Sequence, residues 1–117
     1  VVRRDTNEKI EVSLDEIEEK LGNILDDIQT NMFNMCKEDV EKRTTIATNM
    51  AEFKHNLEVN QGYVKAMWCE SAECEEKIHE ETGAKSRCIP FEQEKLSDVC
   101  VCCGKPASKL VYWGRQY

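Results

Sequence analysis

Six of the chain's seven cysteines fall after residue 68, and their spacing is chemically specific. Cys69-Glu-Ser-Ala-Glu-Cys74 is a C-x4-C pair, and Cys100-Val-Cys-Cys103-Gly104 contains a C-x2-C pair, with 25 residues between the two. Four thiolates complete a tetrahedral zinc shell. Two intervening residues let a chain turn both sulfurs onto one ion, and Gly104 permits the tight turn. A Cys100–Cys102 bite is too short and Cys102 is adjacent to Cys103, so the spacing favours Cys69, Cys74, Cys100 and Cys103 as ligands. Four cysteines leave no open position for a substrate, which makes the expected zinc structural rather than catalytic.

Two other readings of these cysteines stay open. They could be free thiols in a small core, or Cys100 and Cys103 could form a redox dithiol. Redox C-x2-C pairs usually sit at a helix N-terminus, which lowers the pKa of the first thiol; here Gly104-Lys105-Pro106 leads into a strand instead. Cys36 stands apart and reads as a small core residue. His55 and His79 are the only histidines, both in acidic helical stretches, and read as solvated surface. No carboxylate pair is marked out for acid–base work. The chain has no phosphate-binding glycine loop and no nucleophile–base signature.

The elements that must position these sulfurs belong to a chain of 117 residues, 40% hydrophobic and 7% aromatic. Such a length bounds it to one domain that buries only about two-thirds of its unfolded surface, so a structural metal would supplement a modest core. No stretch approaches the roughly 18 uncharged apolar residues of a membrane helix, and no apolar run follows a basic start. The expectation is a soluble, cytoplasmic chain with no membrane association, in a reducing compartment where clustered cysteines favour metal or redox chemistry over disulfides. Net charge is -7. Residues 1–60 hold 8 basic and 14 acidic side chains, residues 61–117 hold 8 and 9. That balance argues against an autonomous nucleic-acid binder, whose affinity comes from neutralising phosphates.

Val1 and Val2 suit a strand, and the start looks like a cut end. Ser13-Leu14-Asp15-Glu16 reads as a capping box opening a long helix. Leu14, Ile17, Leu21, Ile24, Leu25, Ile28, Met32, Met35, Cys36 and Val40 form its apolar stripe, with acids in the first turn and Lys42 and Arg43 at its close. Thr44–Thr48 reads as a short extended segment, and Asn49-Met50-Ala51-Glu52 as a second capping box. A shorter helix through Phe53 and Leu57 stops before Gly62. Residues 63–68 read as a strand running into Cys69. An acidic helix between Ser71 and Thr82 ends at Gly83. A second strand covers 85–91 with Pro90 at its exit, and a third covers 109–114.

The block Lys65-Ala-Met-Trp-Cys69-Glu-Ser-Ala-Glu-Cys74-Glu resembles the C-terminal zinc domain of archaeal/eukaryotic-type prolyl-tRNA synthetases. So do Glu80-Glu-Thr-Gly-Ala-Lys-Ser-Arg-Cys88-Ile-Pro-Phe-Glu92, Cys100-Val-Cys-Cys-Gly-Lys-Pro-Ala107 and the ending Val111-Tyr-Trp-Gly-Arg-Gln-Tyr117. The resemblance covers residues 13–117. Residues 1–12, with Val2-Arg-Arg-Asp-Thr-Asn-Glu-Lys9, look like a remnant of the last strand and linker of that enzyme's anticodon-binding domain. It implies zinc at Cys69, Cys74, Cys100 and Cys103, and a parent enzyme that activates proline with ATP and esterifies it to tRNA-Pro. The parent is usually a homodimer, and both ATP and the catalytic motifs lie outside these residues. The implied partners are tRNA-Pro and the catalytic and anticodon-binding domains of the same chain. The resemblance also directs the terminal Tyr117, with its free carboxylate, toward the catalytic domain as an active-site tail.

The expected fold is α/β: a small mixed sheet from the strands near 63–68, 85–91 and 109–114, packed by one long helix and two shorter ones, with a four-cysteine zinc site. The expected role is a structural, non-catalytic module of the synthetase. A stand-alone zinc adapter and a redox dithiol protein remain the alternatives.

Overall fold

In Tyr63-Val-Lys-Ala-Met-Trp68 the even positions bury Val64 and Ala66 while Tyr63 is exposed, the period-two pattern of a strand with one covered face. The computed structural model describes residues 1–116; Tyr117 lies outside the described residues. Their elements run α1 (Ile17–Lys42), β1 (Thr44–Ile46), α2 (Met50–Val59), β2 (Tyr63–Trp68), α3 (Ala72–Thr82), β3 (Ala84–Cys88) and β4 (Lys109–Arg115). The chain separates into two compact units, Val1–Asp39 and Val40–Tyr117.

In the first unit, Val2 bridges Lys9, and the Val1 ammonium donates to the Ile10 carbonyl at 2.9 Å. The Arg3 guanidinium reaches Asp5 at 2.8 Å, and Asn31 Nδ2 donates to the same carboxylate at 2.8 Å. These partners, Arg3 first, hold the Asp5 carboxyl well below the usual carboxylate range. The expected side-chain cap at Ser13 is corrected by the structure: a 3-10 turn, Leu14–Glu16, precedes α1, and the Ser13 carbonyl accepts from the Glu16 amide at 3.3 Å. The tighter turn satisfies that amide through the backbone, so the hydroxyl is not needed. Within α1 only Ile24 is buried. Cys36, expected in a core, is exposed, as are Met32, Phe33 and Met35 around it; the part of the stripe that carries it is uncovered.

The second unit holds a four-stranded sheet in the order β1-β2-β4-β3. β1 runs parallel to β2, with Thr45 opposite Val64, while β4 runs antiparallel to both β2 and β3. β1 is the extended segment expected from its β-branched residues, now seen as a member of the sheet. β3 stops at Cys88 rather than reaching residue 91, because its register slips between Ser86 and Cys88 and Pro90 has no amide to donate.

One face of the sheet meets α2 and α3. Phe53 and Leu57 of α2 and Ile78 of α3 pack with Val64, Ala66, Val111 and Trp113. Asn49 caps α2, its Oδ1 accepting from the Glu52 amide at 3.0 Å. Glu52 reaches back one residue further than a capping box requires, accepting from the amide and hydroxyl of Thr48, each at 2.9 Å. α3 ends at Gly83 with φ of +71°, its amide donating to His79. His55 and His79 are both exposed, as the sequence suggested.

Gly62 turns the chain from α2 into β2. A Cβ there would lie 2.0 Å from the Arg43 carbonyl oxygen, which already accepts from the Tyr63 amide at 3.1 Å. Because that neighbour is backbone at the start of the parallel β1–β2 pairing, Gly62→Ala must displace a strand. It is expected to cost about 2–3 kcal/mol, read as a lower midpoint in urea; an unchanged midpoint would contradict the close approach.

Candidate metal centre

Cys69 is the first residue after β2, and Cys74 sits in the first turn of α3. Between them Glu70 takes φ of +64°, a left-handed conformation uncommon for a residue with a side chain. The reversal lets α3 start at once. The Ser71 carbonyl accepts from the amides of Cys74 and Glu75 at 3.2 and 3.3 Å and from Trp68 Nε1 at 3.2 Å.

Cys100 and Cys103 lie on a tight turn before β4. The Cys100 amide donates to the Lys105 carbonyl at 2.8 Å, and the Gly104 amide donates to the Cys100 carbonyl at 3.0 Å. A bridge between Val99 and Pro106 closes the base of this loop, and the Val101 amide donates to the Met67 carbonyl at 3.0 Å, tying it to the end of β2. Gly104 takes φ of +69°. The two cysteine arms therefore share one device. A left-handed residue follows Cys69 and another follows Cys103, and in each arm the next amide, of Ser71 or Lys105, turns back onto the sulfur.

These two arms bring the sulfurs of Cys69, Cys74, Cys100 and Cys103 within 4.8 Å of one another. Cys69 Sγ lies 3.6 Å from Cys74 Sγ and 3.7 Å from Cys103 Sγ. A disulfide would require about 2.05 Å. Sulfurs at the corners of a tetrahedron, each about 2.3 Å from a central zinc, stand about 3.8 Å apart. The spacing fits the cage and not the bond. Cys102 is not one of the four clustered sulfurs; it is partly buried and packs against the core. Cys36 and Cys88 are exposed and outside the cluster.

Electrostatics distinguishes the corners. Burial pushes the thiols of Cys69 and Cys74 up, and nearby sulfurs raise Cys74 further. The Lys105 amide draws Cys103, the exposed corner, down to about 7. Burial also raises Cys102. Holding several thiolates together in this partly buried space requires a compensating cation, which a divalent ion at the centre supplies. A closed cage of four sulfurs offers no site for a substrate or an activated water.

The spacing argument on the sequence located the cluster but passed over Glu70, since no glycine marks its left-handed turn. The tail expected at Tyr117 lies outside the described residues. Just before it, Arg115 Nε donates to the Thr82 carbonyl at 2.7 Å, fixing the end of β4 to the C-terminus of α3.

Comparison with known proteins adds to this geometry. A proline–tRNA ligase of Clostridium botulinum (strain ATCC 19397 / Type A) is 56% identical over 117 residues, which is all of this chain and 24% of that protein. The corresponding enzyme of Lachnospira eligens is 53% identical over 117 residues, again 100% of this chain and 24% of its own length. A crystal structure of prolyl-tRNA synthetase from Cryptosporidium parvum, complexed with L-proline and AMP, superposes with a TM-score of 0.90. Its sequence identity is 31%, and the match covers 99% of this chain and 25% of that one. The chain thus spans about a quarter of the length of the relatives it matches. The sequence profile of the family described as "Prolyl-tRNA synthetase, C-terminal" matches residues 50–117, the stretch that holds α2, the sheet from β2 onward and all four clustered cysteines, and the chain belongs to that family.

Proposed function

We propose that the chain is the zinc-clamped C-terminal module of a proline–tRNA ligase, and that Cys69, Cys74, Cys100 and Cys103 hold one structural zinc ion. The observation that carries the zinc assignment is the sulfur spacing of 3.6 and 3.7 Å inside a four-cysteine cluster. The ion, when bound, neutralises the thiolates and ties the end of β2, the start of α3 and the loop before β4 into one unit. The two cysteine pairs have 25 residues between them in the chain, where a closing constraint restricts the unfolded state strongly. The parent protein then activates proline with ATP and attaches it to tRNA-Pro, with ATP and proline bound outside these 117 residues. Residues 1–12 are the remnant of the anticodon-binding domain and residues 13–117 the zinc domain. The partners are tRNA-Pro, the catalytic and anticodon-binding domains, and a second subunit, in the cytoplasm. None of the described helices is long and apolar enough to cross a membrane.

Two measurements test this reading. The 117-residue chain alone should show no proline-dependent exchange of pyrophosphate into ATP and should not charge tRNA, since no residue pattern in it holds a nucleotide. Deleting Tyr117 should leave the unfolding midpoint of the module unchanged while slowing aminoacylation by the synthetase-length protein. Exchange above background by the module, or full aminoacylation after the deletion, would contradict the proposed division of labour.

A further inference from the structure

The four corners of the cysteine cluster are not equally accessible. Cys74 and Cys100 are buried, at 8% and 2% relative exposure, whereas Cys69 is intermediate and Cys103 is exposed. The sulfur contacts follow the same order. Cys69 Sγ meets Cys103 Sγ at 3.7 Å in a pair open to solvent, and meets Cys74 Sγ at 3.6 Å in a pair that is partly buried. Cys74 is held in the first turn of α3, and the Cys100 amide is tied to the Lys105 carbonyl at 2.8 Å. A small molecule arriving from solution therefore meets Cys103 before the other corners, and the sulfur beside it on the solvent side is Cys69. Cys36 and Cys88 are exposed as well but stand outside the cluster.

An accessible thiolate with a second sulfur in contact is the arrangement that a two-electron oxidant converts to a disulfide. We propose that Cys103 and Cys69 form a peroxide-oxidisable pair, Cys103 reacting first and Cys69 resolving it, so that oxidation opens the metal cage. The proposal rests on the zinc reading of the same four cysteines. The Cys103 thiolate attacks one oxygen of hydrogen peroxide: an S–O bond forms, the O–O bond breaks and hydroxide leaves. The Cys69 thiolate then attacks the sulfenic sulfur of Cys103: the S–S bond forms, the S–O bond breaks and a second hydroxide leaves. Two thiolates lose two electrons, the peroxide gains them, and two protons from solvent turn both hydroxides into water. To make that bond the sulfurs close from 3.7 Å to about 2.05 Å. Of the four ligands Cys74 and Cys100 then remain, too few for a tetrahedral shell, and the site loses its hold on the ion. The new bond joins the end of β2 to the loop before β4, so it keeps part of the constraint that the metal supplied.

The test treats the synthetase-length protein with hydrogen peroxide in the absence of thiols, and follows zinc in solution together with a mass-spectrometric map of linked peptides. Zinc should appear in step with a disulfide between the Cys69 and Cys103 peptides, about one ion for each bond. A thiol reductant with added zinc should restore the metal content. Cys102→Ser should behave as the parent does, whereas Cys103→His, which offers nitrogen at the same corner, should release zinc about tenfold more slowly. The peptide map of the parent protein decides the question should the histidine variant not take up zinc. Release accompanied by a Cys69–Cys74 or Cys100–Cys103 bond would overturn the proposal, as would Cys103 carried to sulfinic acid with no disulfide. Zinc retained while Cys36 and Cys88 are oxidised would overturn it too and leave the zinc reading in place. Protein that carries no zinc before peroxide is added would remove the zinc reading, and this inference with it.

Discussion

Cys74→Ser is expected to abolish metal binding and to remove cooperative unfolding from the unit spanning Val40–Tyr117. Cys74 is one of the two buried corners of the cluster, fixed by the first turn of α3. A structural zinc contributes on the order of 10 kcal/mol of binding free energy at neutral pH. That is comparable with the entire net stability of a small domain, about 5–15 kcal/mol. Cys69→Ser and Cys103→Ser should likewise lose the metal, whereas Cys36→Ser and Cys102→Ser should retain it, because one is exposed on α1 and the other packs on the core. Metal content of each purified variant decides the matter. Loss of zinc from Cys102→Ser with retention in Cys103→Ser would reverse the ligand assignment. The pH response has a defined sign. Burial raises the thiols of Cys69 and Cys74, so binding the ion must displace protons from them, and affinity should fall as pH is lowered.

Trp113→Ala is expected to cost about 3–5 kcal/mol, the ordinary cost of emptying a large aromatic site in a core. Trp113 is fully buried in β4 and meets Phe53 and Trp68 edge to face, with ring centroids at 6.1 and 6.3 Å. It links α2 to the strand that runs into Cys69, so the cavity would loosen the support of the metal centre as well as the core. Trp113→Phe should cost much less than the alanine substitution. The indole Nε1 is buried without a hydrogen-bond partner among the described residues, so replacing it with a hydrocarbon edge removes an unsatisfied donor. Urea denaturation of the two variants separates the contributions; an alanine variant within 1 kcal/mol of the parent would contradict the central place given to this ring.

Those elements that announce themselves locally were legible from the residues. β2 alternates, α3 closes on Gly83, and the two cysteine pairs carry ligand spacing, so the clustering of Cys69, Cys74, Cys100 and Cys103 was foreseeable from chain chemistry alone. Features set by tertiary contact were not. Thr44–Ile46 is only three residues long, and its parallel pairing to β2 depends on Gly62 passing close to Arg43, a contact that no local pattern encodes. Glu70 takes a left-handed turn without a glycine because the chain must reverse within one residue of Cys69. Cys36 was read as a core residue because it lies on an apolar stripe, yet periodicity records which residues share a helix face and not whether anything covers it.

The central claim is that four sulfurs clamp one zinc ion, and X-ray absorption at the zinc edge on freshly purified chain, together with its metal content, tests it most directly. The expected result is one zinc per chain in a shell of four sulfurs at about 2.3 Å. Fully folded chain that carries no metal under reducing conditions would contradict the account, as would a shell containing nitrogen or oxygen.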